Sequence, residues 1–325
     1  MVGGEEVVLK VQRPRIDTLV DTDLAAVRLA IQWLKLYGMV ARRVDLDRLF
    51  DEFAATMSAE LDFVAEGKNA ERFTNDFAGD PGIYIAKVYW DYTTRRVLTL
   101  ENVAGIKITD FQAIEAAGIS RAQVARSLHE TYRQQIFVTS FVHADPHPGN
   151  LFLRPWGRAP VKQGSVSSQA GVARPPAPGA ARPFALVFVD FGMVATIPER
   201  SRASLRDYII ALGTRDSHCV VHAYIDSGVL LPGADRRRLE ELHDVLFKHL
   251  EGVTMGKLHA VAMEQADLVW GEYRDILFEM PFQFPTDILF VARAVAILAG
   301  IASSLDPEFD PWSSTIGFAE KLASD

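Results

Sequence analysis

Hydrophobic positions along the chain fall into two patterns: short apolar runs, and longer stretches in which apolar residues recur every three or four positions. The short runs include Val7 to Val11, which is broken by one lysine, Leu151 to Leu153, and Leu186 to Val189. A short apolar run bounded by polar residues is typical of a strand. We therefore expect three strands here, the last of them buried and ending directly before Asp190.

Two further runs predict a hairpin. Ile83 to Val88 and Arg96 to Glu101 have the composition of strands, and the polar residues Asp91 to Thr94 lie between them. A polar stretch between two such runs is typical of a turn. Glu101 would then lie where the chain passes from a small sheet-containing region to a helical one.

The periodic stretches predict helices. From Leu46 to Val64 the apolar spacing predicts one helix capped by Asp45, with Glu60, Asp62 and Glu66 near its end. Further helices are expected over Val124 to Val138, from Arg200 onward, over Arg237 to Leu250 and over Asp287 to Ser304.

Composition and charge narrow the class of protein. The 325 residues are 49% hydrophobic and 23% charged, which is enough to bury the core of one or two domains. The net charge of −8 argues against a nucleic acid as the principal partner, because phosphate backbones select basic surfaces. Cys219 is the only cysteine, which excludes an internal disulfide and permits a reducing compartment.

Membrane and targeting features are few. The longest apolar run, Ile288 to Ala302, is short for a membrane span and carries Arg293, so we expect a buried helix. The first residues lack the basic and apolar regions of a signal peptide. The expected location is intracellular, in the cytoplasm or peripheral to a membrane.

Two polar segments carry the candidate chemistry. Asp145 is followed five residues later by Asn150, and Asp190 opens an Asp-Phe-Gly segment after a predicted strand. Kinases use an Asp at this spacing to orient the acceptor, and use the Asn and the Asp-Phe-Gly aspartate to hold metal. Mg²⁺ prefers such oxygen ligands. Each of these segments alone is common in ordinary turns, but together they predict a site for Mg²⁺ and ATP.

Lys10 and Glu66 extend this hypothesis. In kinases a lysine within an apolar strand contacts the ATP phosphates and pairs with a helix glutamate. A lysine in a strand is in other proteins simply a solvated side chain. We predict an ion pair between Lys10 and an acidic residue of the following helix, near whose end Glu66 lies, because a lysine among apolar neighbours needs a compensating charge.

One stretch is predicted to be a disordered surface insert. Arg154 to Pro183 is rich in Pro, Gly, Ala and Ser and contains no acidic residue. It offers too little apolar surface to offset the entropy of ordering. Its basic residues could contact an anionic membrane surface, although an unselected linker is the plainer interpretation.

Taken together, the segments resemble the UbiB/ADCK family of atypical protein-kinase-like proteins. The resemblance rests on Val-Val-Leu-Lys-Val-Gln-Arg-Pro, Glu-Leu-Asp-Phe, Val-Tyr-Trp-Asp-Tyr-Thr-Thr-Arg-Arg-Val-Leu, His-Ala-Asp-Pro-His-Pro-Gly-Asn and Val-Asp-Phe-Gly-Met. It is specific, since ordinary protein kinases have Arg after the His and Lys two residues after the catalytic Asp. This chain has Ala144 and His147 at those positions.

The resemblance implies an α+β, protein-kinase-like, two-lobed fold that uses ATP and Mg²⁺. Residues 1–103 would form a truncated N-lobe and residues 104–325 a mostly helical C-lobe interrupted by the insert. The implied site residues are catalytic Asp145, phosphate-contacting Lys10 with its partner Glu66, nucleotide-site Glu101, metal ligands Asn150 and Asp190, and a regulatory Glu-x-Asp motif formed by Glu60 and Asp62.

The resemblance also implies binding partners for the protein, and it leaves two alternative functions open. The family is linked to ubiquinone and other isoprenoid-lipid pathways, so the implied partners are a nucleotide, an isoprenoid lipid or membrane surface, and lipid-biosynthetic proteins. The chain begins at the lysine strand, without the family's Lys-x-Gly-Gln segment and Ala-rich nucleotide loop, so we expect it to hydrolyse ATP slowly or not at all. A non-catalytic ATP-binding scaffold and a small-molecule phosphotransferase of the aminoglycoside or choline kinase type stay open.

Overall fold

The computed structural model describes residues 4–36, 46–59, 61–103, 105–156, 181–250, 253–254, 257, 271, 273, 282–283 and 286–324. The chain divides into two units, each built from separated parts of the sequence. Unit 1 comprises the described parts of Met1–Lys107, Gly149–Arg154 and Phe184–Val194, and unit 2 those of Ile108–Pro148, Pro155–Pro183 and Ala195–Asp325. The predicted lobe boundary between residues 103 and 104 stays a prediction.

Unit 1 contains two sheets. Strands β1 (Val7–Val11) and β3 (Val97–Glu101) pair antiparallel, which sets Lys10 opposite Leu98. The second sheet has the strand order β2-β7-β6-β4, formed by β2 (Ile83–Ile85), β4 (Ile106–Lys107), β6 (Leu151–Pro155) and β7 (Phe184–Phe188). β7 lies inside this sheet and is buried from Ala185 to Phe188. The strands predicted before Asp190 and after Asn150 are therefore confirmed.

The predicted hairpin is wrong in its main pairing. β2 runs parallel to β7, whereas β3 pairs with β1. The two predicted strands still meet through a bridge between Val88 and Leu100, and a short 3-10 turn, Trp90–Tyr92, overlaps the expected turn. An isolated two-stranded hairpin is marginally stable. Pairing β2 with the buried strand β7 buries more apolar surface.

The helices of unit 1 correct the predicted acidic helix. Helix α1 (Ile16–Leu34) packs against α2 (Leu46–Ala59) through Ile31, Leu46 and Phe50. A separate helix, α3 (Phe63–Asp76), follows, so the single helix predicted over Leu46 to Val64 is wrong. The reason is Asp62, whose carboxylate accepts hydrogen bonds from the backbone N–H groups of Val64 and Ala65 and starts a new helix.

Unit 2 is mostly helical, as predicted. Its helices are α4 (Phe111–Ala116), α5 (Arg121–Gln134), α6 (Glu199–Thr214), α7 (Ser217–Asp226), α8 (Arg236–Leu250), α9 (Thr286–Leu305) and α10 (Pro311–Ser324). α6 packs against α7 and α10, and α5 packs against α9. A π-helical segment, Gln135–Thr139, continues α5 and leads into β5 (Phe141–His143), which pairs with β8 (Val194–Thr196).

Helix α9 differs from its prediction. Among the described residues it is the one helix long and apolar enough to cross a membrane, over Ile288–Leu305, with a mean hydropathy of 2.1. Only 33% of this window is buried. The helix is longer than the apolar run on which the prediction rested, because it extends beyond that run at both ends, and about a third of the window is buried rather than all of it.

The ends of the predicted disordered insert are ordered. Arg154 and Pro155 belong to β6, and the N–H of Trp156 donates to the carbonyl of Pro183 at 3.0 Å. The guanidinium of Arg182 donates to the carbonyl of Trp156 through two nitrogens, at 3.0 and 2.8 Å. Continued pairing of β6 with β7 accounts for this correction. The rest of the insert, residues 157–180, lies outside the described residues.

The contact between α6 and α10 generates a stability prediction. A Cβ added at Gly213 would lie 2.5 Å from the Cβ of Ala319, whereas one added at Gly317 on α10 would meet nothing within 4 Å. We expect Gly213→Ala to lower the free energy of unfolding by about 1–3 kcal/mol, because an Ala side chain cannot rotate away. We expect the control Gly317→Ala to raise it by about 0.4–1 kcal/mol.

Thermal and urea unfolding of both variants measure the difference. Equal effects of the two substitutions would contradict the close approach of α6 and α10.

Candidate functional site

A half-buried ion pair forms the centre of the candidate site in unit 1. The Nζ of Lys10 lies 2.9 Å from both carboxylate oxygens of Glu66. The Glu66 side chain is 4% exposed and that of Lys10 is 38% exposed. The predicted Lys10–Glu66 ion pair is therefore confirmed. A carboxylate buried this deeply depends on a partner, since burying an unpaired charge is costly.

Lys10 also contacts Asp190. The Nζ of Lys10 donates to Oδ1 of Asp190 at 3.0 Å, and the Asp190 side chain is 43% exposed. One ammonium group thus faces two carboxylates. The ammonium also lies 5.3 Å from the ring centroid of Phe63, a favourable cation–π contact. The structure brings together Lys10, Glu66 and Asp190, three of the residues that the sequence predicted.

Asp190 has an unusual backbone conformation. Its φ of 64° lies in the left-handed region, which a non-glycine residue adopts at a cost of about 1–3 kcal/mol. The residue follows the buried strand β7, and this turn brings its carboxylate to Lys10. Gly192 supports the arrangement, because its N–H donates to Oδ1 of Asp190 at 3.3 Å. Strain of this kind is maintained where the surrounding structure holds the residue in place.

One face of α3 holds the Asp-Phe-Gly segment. Glu66, Asn69 and Phe73 are spaced three and four residues apart and so lie on one side of the helix. The Asn69 side chain donates to the carbonyl of Phe191 at 3.0 Å, and the rings of Phe73 and Phe191 lie 5.0 Å apart. Sequence reasoning missed Asn69 and Phe73. Their helical spacing from Glu66 was the available signal.

Asn150 lies next to the same segment. Its carbonyl accepts a hydrogen bond from the N–H of Val189, the residue before Asp190, at 3.0 Å. β6 begins directly after Asn150 and pairs with β7, so the two predicted metal ligands flank neighbouring strand ends. Their role as metal ligands stays a prediction.

Asp145 belongs to unit 2, where hydrogen bonds fix the chain that leads to it. The side chain of Gln135 accepts from the N–H of His143 at 3.0 Å, and the hydroxyl of Tyr132 donates to the carbonyl of His143 at 3.1 Å. Gln135 lies in the π-helical segment, an element that is frequent at functional sites. The Nη2 of Arg293 donates to Oδ1 of Asp145 at 3.1 Å. Neither Gln135 nor Tyr132 was identified from the sequence.

Glu101 and Asp62, which were also predicted as site residues, have other partners. Both carboxylate oxygens of Glu101 accept from the hydroxyl of Tyr84, at 2.6 and 2.7 Å, so the side chain is held by Tyr84. Asp62 caps α3 and lies 3.9 Å from Arg95. Glu60 lies outside the described residues. The nucleotide-site role of Glu101 and the regulatory role of the Glu60 and Asp62 motif stay predictions.

The pKa values of Lys10 and Glu66 are shifted by burial and by the ammonium group that the two carboxylates share. Burial acts to lower the pKa of Lys10, but the charges of Glu66 and Asp190 outweigh it, so this pKa is raised above 10.5. Burial raises the pKa of Glu66 above 4.5, although Lys10 opposes the shift. Lys10 is therefore firmly cationic, and the charged form of Glu66 depends on it.

These features define a protein-kinase-like protein: a strand lysine paired with a helix glutamate, and an Asp-Phe-Gly segment beside them. A solved structure, the complex of Rv3197 with erythromycin from Mycobacterium tuberculosis, shares the fold with a TM-score of 0.56. It is 17% identical and the match covers 94% of this chain and 69% of that one. Residues 1–224 match the ABC1 atypical kinase-like domain, and the chain belongs to this family.

Relatives agree with this assignment. The chain is 31% identical to Protein ACTIVITY OF BC1 COMPLEX KINASE 7, chloroplastic, from Arabidopsis thaliana, over 98% of this chain and 41% of that protein. It is 28% identical to the Probable protein kinase UbiB from Marinobacter nauticus, over 98% and 53%. It is 30% identical to the uncharacterized protein sll0095 from Synechocystis, over 98% and 51%. The predicted family and kinase-like α+β fold are confirmed, and the chain spans about half the length of these relatives.

The dependence of Glu66 on Lys10 generates a pH prediction. Lys10→Met removes the cation, so we expect the folded-state pKa of Glu66 to rise further above its value of 4.5 in the free side chain. Because Lys10 is more than a third exposed, the expected loss at neutral pH is about 1–3 kcal/mol of unfolding free energy, below that of a fully buried pair. A raised carboxyl pKa makes the folded state bind more protons, so stability falls as pH rises from about 4 to 7.

The loss caused by Lys10→Met should therefore be larger at about pH 7 than at about pH 4. The matched control is Lys10→Met combined with Glu66→Gln, which lacks this titrating group, so its loss should not grow between about pH 4 and pH 7. Urea unfolding at several pH values measures both. A loss in Lys10→Met that stays constant with pH would count against the coupling.

Proposed function

We propose that the protein is an atypical kinase or ATPase of the UbiB/ADCK type, which catalyses Mg-ATP-dependent phosphoryl transfer or ATP hydrolysis. The observation that carries the proposal is the contact of one ammonium group, that of Lys10, with both Glu66 and Asp190. Phosphoryl transfer depends mainly on positioning and on charge stabilisation. A fixed ammonium beside an accessible carboxylate supplies both.

The donor set in unit 1 fits Mg²⁺. The two carboxylates and one ammonium of Asp190, Glu66 and Lys10 leave a net negative charge, which favours a cation. Asp190 and Asn150 provide the oxygen ligands that Mg²⁺ prefers. A Cβ at position 192 would lie 3.3 Å from Oδ1 of Asp190, so Gly192 leaves this carboxylate open to a ligand. When bound, Mg²⁺ would neutralise phosphate charge.

Each residue would have a distinct task. Lys10, partly exposed and held by Glu66, would contact phosphate oxygens with its ammonium group. Asp145, half-buried in unit 2, would orient the acceptor hydroxyl or water and accept its proton. The hydrogen bonds to His143 limit movement of the chain before Asp145, and such positioning accounts for much of catalysis.

We further propose that the activity supports ubiquinone or other isoprenoid-lipid metabolism at a membrane surface inside the cell. A cavity of about 210 Å³ in unit 2 supports an apolar ligand. It is lined mainly by apolar groups, among them Ile108, Phe111, Ile297 and Pro148, and Pro148 lies three residues after Asp145. A dry apolar cavity of about 150 Å³ is known to hold a benzene-sized molecule, so this one could take a small apolar group.

The metal assignment generates a binding prediction. We expect Asp190→Asn to abolish Mg²⁺-dependent nucleotide binding, because it removes a charged metal ligand while keeping the size of the side chain. Asp91→Asn, at an exposed position of the same unit, is the matched control and should bind as the parent does. Calorimetric titration of ATP with and without Mg²⁺ measures both. Parent-level Mg-ATP binding in Asp190→Asn would show the assignment to be wrong.

Turnover tests the reaction itself. We expect the protein to release phosphate from Mg-ATP slowly, and we expect Asp145→Asn to lower kcat at least about 100-fold further, since it removes the group that orients the acceptor and takes its proton. The link to lipids is tested by running the assay under three conditions: without vesicles, with vesicles of phosphatidylcholine, and with phosphatidylcholine vesicles that also contain phosphatidylglycerol. Nucleotide binding without turnover in any assay would favour the scaffold. Transfer of phosphate to a soluble alcohol, at a rate that vesicles do not change, would favour a small-molecule phosphotransferase.

A further inference from the structure

Arg293 brings a positive charge to Asp145 from a distant part of the sequence. It is the only charged residue between Ile288 and Leu305, the apolar window of α9. Its Nη2 lies 3.1 Å from Oδ1 of Asp145, and the two side chains are 48% and 32% exposed. The window contains no acidic residue that could pair with Arg293 along the helix. Asp145 supplies the carboxylate from another part of the chain.

Both partners stand on one packed framework within unit 2. α9 packs along α5, and near the start of α5 the Nη2 of Arg121 donates to the carbonyl of Ser304 at 2.6 Å. The other end of α5 continues into the π-helical segment, whose Gln135 holds the N–H of His143. Surface ion pairs between flexible side chains contribute little. Here α9, which carries Arg293, packs against α5, and the α5 side of this framework holds the chain before Asp145 through Tyr132 and Gln135, so the pair has a defined position.

The catalytic loop itself lacks the cations that ordinary protein kinases carry. Ala144 is buried and follows the histidine, where those kinases have Arg. His147 is exposed and stands two residues after Asp145, where they have Lys. A carboxylate and a transferring phosphoryl group are both negatively charged and repel each other. A fixed cation next to the carboxylate reduces this repulsion and so favours the transition state.

We propose that Arg293 is a positioning residue that fixes the orientation of the Asp145 carboxylate and offsets its charge during phosphoryl transfer. It takes the place of a cation that ordinary protein kinases carry within the catalytic loop. The inference rests on the proposed function, because it assigns a role within that reaction. Arg293 acts through Asp145, so its removal impairs the chemical step and leaves nucleotide binding intact.

The test compares Arg293→Gln and Arg293→Lys in steady-state ATP turnover. Arg293→Gln is expected to lower kcat about 10- to 100-fold, less than a fully buried donor would, with KM for ATP within about twofold of the parent. Arg293→Lys is expected to recover part of kcat, because lysine keeps the charge but lacks the planar fork of arginine. If Arg293 had only a structural role, its replacement would not lower kcat while leaving KM for ATP unchanged.

Arg202 offers a matched control. Its guanidinium lies 3.1 Å from Glu199 in α6 of the same unit, and its side chain is 43% exposed. Arg202→Gln thus removes an arginine with the same pairing distance and similar exposure, and it is expected to leave kcat unchanged. A second arm combines Arg293→Gln with Asp145→Asn. The double variant is expected to be no slower than Asp145→Asn alone, because Arg293 has no orienting role once the carboxylate is lost.

The outcomes separate the two proposals. Parent-level kcat in a folded Arg293→Gln overturns the role of Arg293 alone, whereas no turnover in the parent chain overturns the proposed function and this inference with it. Circular dichroism and thermal unfolding report whether each variant folds. If Arg293→Gln does not fold, Arg293→Lys decides: a folded variant with reduced kcat and parental KM supports the inference, and parental kcat overturns it.

Discussion

The buried carboxylate of Glu66 is the constraint on which unit 1 depends. It is almost fully removed from solvent, and its two oxygens share the ammonium of Lys10. This single interaction joins β1 to α3 through two residues that are 56 positions apart in sequence. Through the third contact of Lys10 it also sets the position of Asp190. The other face-sharing residues of α3, Asn69 and Phe73, hold Phe191 and complete the link from helix to Asp-Phe-Gly segment.

The same interaction is the basis of our proposal that the site binds a cation and a phosphate. One ammonium does not neutralise two carboxylates, and the left-handed turn at Asp190 holds the more exposed of them in place. Fixed charges in a partly desolvated site act more strongly than in water and need no reorganisation during the reaction. Unit 2 applies the same principle to Asp145, whose neighbouring cation comes from α9.

Much of this arrangement was predictable, because its parts are carried by local sequence. The strands at Val7–Val11 and Phe184–Phe188 follow from apolar runs. The need to compensate a charge predicts an acidic partner for Lys10, and the family resemblance identifies this partner as Glu66. The end of α2 and the start of α3 were missed because apolar residues continue to recur every three or four positions across Asp62. An Asp before an apolar run is nevertheless typical of a helix N-cap, and Asp62 is one. The partner of Arg293 lies 148 residues away, and periodicity reports no contact at that separation.

The most direct test of the account is the position of the metal. Crystals of the protein grown with Mn²⁺ in place of Mg²⁺ and a non-hydrolysable ATP analogue would show the ion by its anomalous scattering. The account predicts a peak within coordination distance, about 2.0–2.3 Å, of side-chain oxygens of both Asp190 and Asn150, with Lys10 still paired to Glu66. Bound nucleotide whose metal contacts neither Asp190 nor Asn150, or a Lys10 separated from Glu66, would contradict it.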